Sequence, residues 1–504
     1  MWTRSPRRFS RLSKDWTHVA NARPGIGAVA VFFPFFFLLF APCLFADPFV
    51  EGRLDAIWGD PHPASGAPPV RLLTLTEDDG TVTELQVSEE LLRVAGGFYA
   101  WNGQRVRATL RKPGEEIPGP TLRPGTRRAL AITLLEDRSA GETTETTDVT
   151  GSHPWVSILC KFANVSAEPE NLAYFQGMYA NQPGGLDHYW REVSYGNINI
   201  VGSTAVDWVV LPRNHTFYVA TPGGGSNANL NELFNDCTDA ADPFVDFSNG
   251  GGGFSGINMM FNADLDCCAW GGGRFATLDG VSKVWRVTWE PPWGYAHAGV
   301  IAHEMGHGFG LPHANNWDSD SDPYDSPWDV MSRAAGSYAV LHPEYGRLGQ
   351  HPNMHHKYQL GWVTGSRYLQ VNDGQTVTAT IDAAAVPGSP NYYMARLPIA
   401  DSNDYYTVEV RKRMGNYDGD VPDDAVIIHH IDPDRSQPSW SFDAAVPPAN
   451  FADNEGTMFR VGETFSVAGQ DISVTIDSQT SNGFVVTINR GGEAPPFLFI
   501  GNFE

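Results

Sequence analysis

Alternating apolar and polar positions mark the first part of the chain after position 46. Residues 70–75 and 104–110 carry apolar side chains at about every second position between turn signals, which is the period of a half-buried strand. Residues 140–148 then show no apolar periodicity and predict an exposed linker, a plausible place for processing. We therefore expect a β-rich N-terminal domain, built as a small barrel or sandwich, and its linker within residues 47–150.

A different pattern begins at residues 155–160, where a continuous apolar run predicts a buried strand. Roughly helical spacing follows in residues 171–195. Further apolar runs at residues 257–261 and 283–289 predict two more strands. This order of strand, helix and strands predicts a second, mixed domain, which we place at residues 151–365.

Strand patterns return in the last third of the chain. Residues 405–410, 425–431 and 484–488 are rich in β-branched and apolar side chains and predict a C-terminal β-sandwich at residues 366–490. A tail at residues 491–504 follows. Its apolar run is far shorter than a membrane span requires.

The start of the chain resembles a targeting signal. Residues 1–46 begin with basic side chains, continue with an apolar run and end at Ala46, which is typical of a secretory signal peptide. We expect cleavage after Ala46 and a secreted protein. An uncleaved anchor is the alternative, because the run is about as long as a spanning helix. Pro34 and Pro42 weaken such a span, so we expect no stable membrane association after cleavage.

Composition and charge narrow the classes of partner. The chain has 504 residues, of which 42% are apolar and 18% charged, and a formal net charge of −24. This length suits two or three domains with sizeable cores, and the composition is that of a folded protein. An acidic surface repels nucleic acid. We expect a monomer that binds no nucleic acid.

The cysteines predict disulfides in an oxidising compartment. Cys43 would leave with the signal, so that Cys160, Cys237, Cys267 and Cys268 remain as an even number. Adjacent cysteines seldom bond to each other. We therefore expect Cys267 and Cys268 to reach separately to Cys160 and Cys237, in either pairing. Zinc binding by these four is the weaker alternative, because no Cys-x-x-Cys pair is present.

The most specific chemistry lies at residues 303–313, which read His-Glu-Met-Gly-His-Gly-Phe-Gly-Leu-Pro-His. On a helix, His303 and His307 project from one face and can bind one metal ion. Gly310 allows a sharp turn, since glycine adopts positive φ at low cost, and that turn can bring back His313 as a third ligand. Three imidazoles leave one position of Zn²⁺ for water, as in catalytic zinc sites. Five fixed positions favour this site over a histidine-rich helix end.

This stretch resembles the metzincin signature His-Glu-x-x-His-x-x-Gly-x-x-His, and Met331 resembles the methionine turn that lies beneath the metal in that clan. Within the clan, residues 324–332 and 356–362 resemble gametolysin-like peptidases and, more distantly, the immune inhibitor A group. His313 favours the gametolysin-like group, since the other group usually has Asp at the third ligand. The resemblance implies an α+β metzincin-type zinc protease core at residues 151–365.

The resemblance also implies roles for individual residues. Zn²⁺ would activate a water molecule, and Glu304 would act as general base in peptide hydrolysis. In that clan an edge strand above the cleft pairs with the substrate, and we expect this edge at residues 267–275. Astacin-like and serralysin-like enzymes carry a tyrosine two residues after the methionine, where Arg333 stands here, so a tyrosine helper at that position is excluded.

The position of the N-terminal domain before such a core suggests a propeptide and a zymogen. No cysteine lies between Asp47 and Trp155, so a cysteine switch is not available. Asp60 or His62 could bind the zinc instead. Lone polar residues beside Pro and Gly usually make turns, however, and we expect both side chains to belong to surface loops.

An acidic stretch follows the third proposed ligand. Asp318, Asp320 and Asp322 alternate along it, and alternating carboxylates can bind Ca²⁺. The stretch lacks the glycine and the final Glu of an EF-hand loop. A solvated acidic loop is therefore the preferred interpretation, with a calcium site as the alternative.

Together these observations predict a secreted zinc-dependent endopeptidase that acts on protein or peptide substrates. Two other classes stay open at this point. A zinc amidase or deacetylase acting on cell-wall or glycan material would use the same ligands. An extracellular binding protein with an inactive site is the less favoured alternative, because the ligands, the general base and the methionine are all present.

Overall fold

The computed structural model describes residues 47–491, apart from residues 64, 66, 113–122, 124, 136–147, 318–321, 446–453 and 468. The predicted signal at residues 1–46 and the tail beyond residue 491 lie outside the described residues. From residue 47 onward the chain contacts itself as one unit. Two of its sheets cross the predicted boundaries near residues 150 and 365, and the boundaries themselves stay predictions.

A closed ring of five strands makes up the N-terminal region. Its elements are β1 (Phe49–Pro61), β2 (Val70–Thr76), β3 (Val82–Gln86), α1 (Glu89–Ala95), β4 (Gln104–Leu110) and β5 (Arg127–Leu134). The ring closes because β1 pairs with β4 through its first half and with β2 through its second half, while β3 joins β5 on the far side. Leu54, Ala56 and Trp58 on β1 face one apolar core, which explains the two-residue period of the sequence.

Four parallel strands and one antiparallel strand form the central part of the largest sheet. The elements of this region are β6 (Gly151–Ser152), β7 (Trp155–Lys161), α2 (Leu172–Gly177), α3 (Leu186–Val193), β8 (Ile198–Asn199), β9 (Thr204–Val210), α4 (His215–Tyr218), α5 (Leu230–Ala241), β10 (Gly256–Phe261), β11 (Cys268–Leu278), β12 (Val281–Glu290), α6 (Pro292–Tyr295) and α7 (Ala298–Gly308). β9, β7, β10 and β12 run parallel in this order, and β11 runs antiparallel next to β12. The predicted strands at residues 155–160, 257–261 and 283–289 are thus confirmed.

Apolar layers cover both faces of these strands. Trp155 and Leu159 on β7 face the layer that contains α7, whereas Val156 and Ile158 face the layer that contains α5. Burial on both faces explains why β7 is a continuous apolar run rather than an alternating one. The helix α7 therefore lies inside the protein, directly beneath the sheet.

Two packed sheets form the C-terminal region. The remaining elements are β13 (Ala314–Asn316), α8 (Val330–Arg333), β14 (Leu341–His342), β15 (Gly346–Arg347), α9 (Met354–Gln359), β16 (Tyr368–Gln370), β17 (Gln375–Asp382), β18 (Met394–Pro398), β19 (Tyr405–Arg411), β20 (Ala425–Ile431), β21 (Ser439–Ser441), β22 (Thr464–Ser466), β23 (Ser473–Gln479) and β24 (Gly483–Arg490). One sheet has the order β13-β21-β20-β19-β18-β16, the other β17-β24-β23-β22, and the two share one apolar core. β13 directly follows His313, so the C-terminal sheet begins inside the predicted catalytic domain.

The disulfide expectation is wrong. Cys160 bonds to Cys237, and Cys267 bonds to its neighbour Cys268. Cys160 on β7 and Cys237 on α5 meet in one apolar core, with their Cα atoms 5.9 Å apart, which is an ordinary separation for a disulfide. The packing of α5 on β7 therefore selects the long-range pair and leaves the two adjacent cysteines to each other.

Several shorter features complete the description. Among the described residues, no helix combines the length and the apolar character that a membrane crossing requires. Short 3₁₀ helices lie at Asp242–Phe244, Asn249–Gly251, Gly365–Arg367 and Glu455–Thr457.

Candidate metal centre

The helix α7 and the turn that ends it position three histidines. Gly310 adopts a left-handed conformation with φ of 89°. Around it, Leu311 N–H donates to Gly306 C=O and Gly310 N–H donates to His307 C=O, at 3.0 and 2.9 Å. This pair of bonds is a Schellman motif, which ends a helix at a glycine. The chain therefore reverses immediately after His307 and returns His313 to the same side of α7.

The three imidazoles converge on one point. The Nε2 atoms of His303, His307 and His313 lie 3.1, 3.2 and 3.2 Å from one another. Three nitrogens around a tetrahedral Zn²⁺ at its usual bond length would lie about 3.3 Å apart. The donor set therefore fits a divalent metal ion such as Zn²⁺.

Backbone carbonyls orient two of these rings. His303 Nδ1 lies 2.7 Å from Val330 C=O, and His307 Nδ1 lies 2.7 Å from Leu311 C=O. A proton on Nδ1 leaves the lone pair of Nε2 free for a metal. Burial lowers the pKa of His307 to about 3, and burial also lowers the pKa of His313. Both changes favour the neutral, metal-binding form of the ring. At His303 burial acts in the same direction, but the charge of Asp60 outweighs it and raises the pKa of that ring.

A fourth donor comes from the N-terminal region. Asp60, at the end of β1, places Oδ1 2.7 Å from His313 Nε2, and Oδ2 3.2 Å from His307 Nε2 and 3.4 Å from His303 Nε2. Burial alone would raise the pKa of Asp60, but the rings of His313 and His303 outweigh it and hold that pKa well below its usual range. The expectation that Asp60 lies on a surface loop is therefore wrong, because the pairing of β1 with β11 carries it into the site.

His62, the other candidate of that expectation, is exposed. Its ring packs edge-on against Trp293, with the centroids 5.0 Å apart. It does not join the group of four residues whose donor atoms lie within reach of one ion.

Glu304 lies beside the histidines and faces β11. The side chain is fully buried, and neither carboxylate oxygen receives a hydrogen bond from the described residues. Burial, together with the negative charges of Asp60 and Glu290, raises its pKa well above the ordinary value. Gly271 on β11 makes this contact possible, since a Cβ there would lie 2.7 Å from Glu304 Oε2. The Glu304 carboxylate thus receives no hydrogen bond from a donor among the described residues, and its interaction with the Asp60 carboxylate raises its pKa further.

Met331 lies under the metal-binding turn of α7. Its Sδ atom is 2.5 Å from the position that a Cβ on Gly306 would take, so a larger residue at position 306 would displace the Met331 side chain. Asp329 caps α8 by accepting from Met331 N–H at 2.7 Å, and its other oxygen lies 2.7 Å from His356 Nδ1. The structure therefore brings Met331 together with the histidines and Glu304.

A cavity opens beside Glu304 and His303. Its volume is about 380 Å³, and Val300, Trp293 and Arg333 contribute to its walls. Arg333 stands two residues after Met331, at the position where the sequence excludes a tyrosine helper. The sequence did not single out Tyr324, whose hydroxyl donates to Asp60 Oδ1 and whose ring centroid lies 5.5 Å from that of His313.

Sequence reasoning also missed Trp58, which packs its ring against His307 and His313 with centroids 5.6 and 4.4 Å apart. The sequence did carry one signal that could have placed Asp60 in the protein interior. Leu54, Ala56 and Trp58 share the core-facing side of β1, and Asp60 continues the same two-residue period. A carboxylate at a core-facing position of a strand usually has a buried partner.

Of the three proposed calcium ligands, the structure describes only Asp322. Asp318 and Asp320 lie outside the described residues. Asp322 is exposed and accepts a hydrogen bond from Tyr324 N–H at 2.9 Å, as in an ordinary turn. The calcium site stays a prediction.

A buried helix that presents two histidines and a glutamate, with a third histidine after a glycine turn, defines a metal-dependent hydrolase centre. Comparison with known families agrees. The family model described as gametolysin peptidase M11 matches residues 158–413, just over half of the chain, and the chain belongs to this family. The prediction of a gametolysin-like metallopeptidase is confirmed. Neither the curated proteins nor the solved structures gave a match.

Proposed function

We propose that the chain is a secreted, zinc-dependent endopeptidase of the metzincin type that cleaves extracellular proteins. One observation carries the proposal: the three Nε2 atoms meet within 3.2 Å of one another, next to a buried glutamate whose carboxylate receives no hydrogen bond from a donor among the described residues. A buried carboxylate without a partner is costly, and such a cost is typical of a catalytic group. Membership of a peptidase family supports protein or peptide substrates.

The chemistry follows from the positions of these side chains. When bound by His303, His307 and His313, a zinc ion supplies a Lewis acid that polarises the substrate carbonyl and acidifies water. Glu304 takes a proton from the attacking water and later delivers it to the departing amine. β11 lies between β12 and β1, so the predicted edge at residues 267–275 is covered by β1 here. Once β1 is withdrawn, β11 would offer its backbone to an extended peptide by strand addition. The carbonyls of Val330 and Leu311 keep two of the rings in their binding tautomer.

Other features of the chain support secretion and a domain plan. The basic and apolar pattern of residues 1–46 is typical of a secretory signal, and two disulfides suit an oxidising compartment. We further propose that the closed N-terminal ring is a barrel-like prodomain and that the two packed C-terminal sheets form a β-sandwich.

Glu304→Gln tests the proposal most directly. The variant should retain its zinc content but lose about 10²–10⁴-fold of its activity, because it lacks the general base. Casein hydrolysis would be followed before and after limited trypsin digestion of the chain, with and without a chelator. Glu344→Gln, on the surface, is the matched control and should behave as wild type.

Two outcomes would contradict the proposal. Undiminished casein hydrolysis by a zinc-loaded Glu304→Gln variant would remove the mechanism. Hydrolysis of peptidoglycan or of an acetylated glycan, with none of casein, would replace the peptidase with an amidase or deacetylase.

A further inference from the structure

The edge of the catalytic strands is already occupied. β1 pairs antiparallel with β11 over the register Ile57↔Gly272 to Pro61↔Cys268, and His62 N–H extends the pairing to Cys267 C=O at 3.1 Å. An extended peptide that adds to this edge would use the same backbone groups of β11. β1 and a substrate strand therefore exclude each other.

Glycines on both strands make the approach close. A Cβ on Gly59 would lie 2.4 Å from the ring of Trp270, and a Cβ on Gly272 would lie 2.3 Å from Ala56 C=O. Gly59 immediately precedes Asp60, so a side chain at position 59 would push β1 away from Trp270 next to the residue that enters the site. The pairing is thus built for this particular strand rather than for loose contact.

The Asp60 carboxylate occupies the remaining side of the histidine cluster. Both of its oxygens lie within 3.4 Å of a ring nitrogen, and the Tyr324 hydroxyl donates to Oδ1. A tetrahedral zinc site with four protein ligands is closed, whereas a catalytic site keeps one position for water or substrate. With Asp60 in place, the donor set is that of a closed site.

Hydrogen bonds away from the histidine cluster also hold the N-terminal ring against the catalytic region. Asp55 Oδ2 accepts from Phe275 N–H at 2.8 Å, and the Tyr99 hydroxyl donates to Leu311 C=O at 3.0 Å. Arg123 donates to Ser226 C=O and Ala228 C=O at 2.8 and 2.7 Å. The ring therefore docks as a body, with Asp60 at one point of a wider interface.

We propose that Asp60 is the fourth ligand of the metal and that β1 takes the place of the substrate strand, so that the N-terminal ring inhibits the peptidase of the same chain. This inference rests on the proposed function. It assigns latency to an aspartate in a chain whose N-terminal region offers no cysteine for that role. Activity then requires the withdrawal of β1 from β11, which frees one metal position and one strand edge together.

Access to the metal is the quantity to measure. The chain from residue 47 onward, carrying Glu304→Gln to prevent self-cleavage, would be loaded with Co²⁺, and its visible spectrum would be titrated with acetohydroxamate. Asp60→Ala should bind acetohydroxamate at least about 10-fold more tightly, since an added ligand binds in proportion to the fraction of open sites. Asp60→Asn, which keeps the shape of the side chain, covers the case in which Asp60→Ala does not fold. Asp78→Ala, an exposed aspartate of the same region, is the control and should match the parent.

Equal acetohydroxamate affinity in the parent and in the Asp60 variants would overturn the assignment of Asp60. A peptidyl hydroxamate long enough to pair with β11 tests the strand. It should increase amide hydrogen exchange at residues 57–60, and its binding without such a change would overturn the displacement of β1. Neither readout requires hydrolysis, so each result is independent of whether the peptidase proposal holds.

Discussion

The catalytic region contacts the N-terminal ring and the C-terminal sheets in different ways. On the N-terminal side the contact is a strand edge, through the pairing of β1 with β11, and a single carboxylate at the histidine cluster. On the C-terminal side, Arg411 on β19 is fully buried and donates to Glu409 and Asp418 at 2.9 and 2.8 Å. It also donates to the carbonyls of His351 and Trp328.

This difference separates an exchangeable interface from a permanent one. Another extended strand can replace the hydrogen bonds that β11 makes to β1. Nothing in solvent can replace a buried guanidinium between two buried carboxylates, because a charge left alone in the interior is very costly.

The largest effect is expected from Arg411→Met. The substitution leaves the buried carboxylates of Glu409 and Asp418 without their cation and frees the backbone beside the methionine turn. The free energy of unfolding in urea should fall by about 5 kcal/mol, at the upper end of the range for a broken buried pair. Arg413→Met, two residues further and half exposed, should change it by less than about 0.5 kcal/mol. A similar small change at Arg411 would contradict the view that this interface is permanent.

Removal of the metal should weaken the interface between the N-terminal ring and the catalytic region. A bound ion ties Asp60 to the three histidines, so chelation should lower stability by about 4 kcal/mol when the free metal had been about 1,000 times its Kd. Amide hydrogen exchange should rise at residues 57–60 in β1 and stay unchanged in β19. An equal rise in both strands would remove the contrast between the two interfaces.

The smallest effect is a pH dependence at Asp55. Burial raises the pKa of Asp55 to about 6 from an ordinary value of 3.8. Between these values the folded state binds more protons than the unfolded state, so the free energy of unfolding falls as the pH rises from about 4 to about 6 and is level above. Asp55→Asn removes this titration and keeps an acceptor for Phe275 N–H.

The difference in free energy of unfolding between Asp55→Asn and wild type should therefore rise by up to roughly 3 kcal/mol between pH 4 and pH 7, in favour of the variant. Urea unfolding of the metal-free protein at several pH values measures this gain. Asp207→Asn, at an exposed position, is the matched control. A gain that does not grow with pH would show that the Asp55 contact carries no cost of burial.

Much of the metal centre follows from local sequence. The helical period places His303 and His307 on one face of α7, and the left-handed Gly310 returns His313 within six residues. These are short-range effects of backbone geometry, which is why the ligand set could be proposed without a structure. The strands β7, β10 and β12 of the central sheet were similarly evident from their apolar runs, whereas β9 was not.

The long-range features could not be predicted in the same way. The pairing of Cys160 with Cys237 depends on the packing of α5 against β7, and the rule that adjacent cysteines avoid each other led to the opposite expectation. β13 is three residues long and joins a sheet whose other strands lie at least 50 residues further along the chain. Neither its length nor its composition indicates this partner.

The sequence by itself determined a helix with two histidines and a glutamate, a glycine turn, a third histidine and a set of apolar strands, because each depends on neighbours a few residues apart. Only the tertiary structure decided that Asp60 enters the histidine cluster. That placement depends on the register between β1 and β11, and a shift of one residue would turn the carboxylate to the other face of the sheet. The contact joins residues about 250 positions apart, and no local pattern encodes a register over that distance.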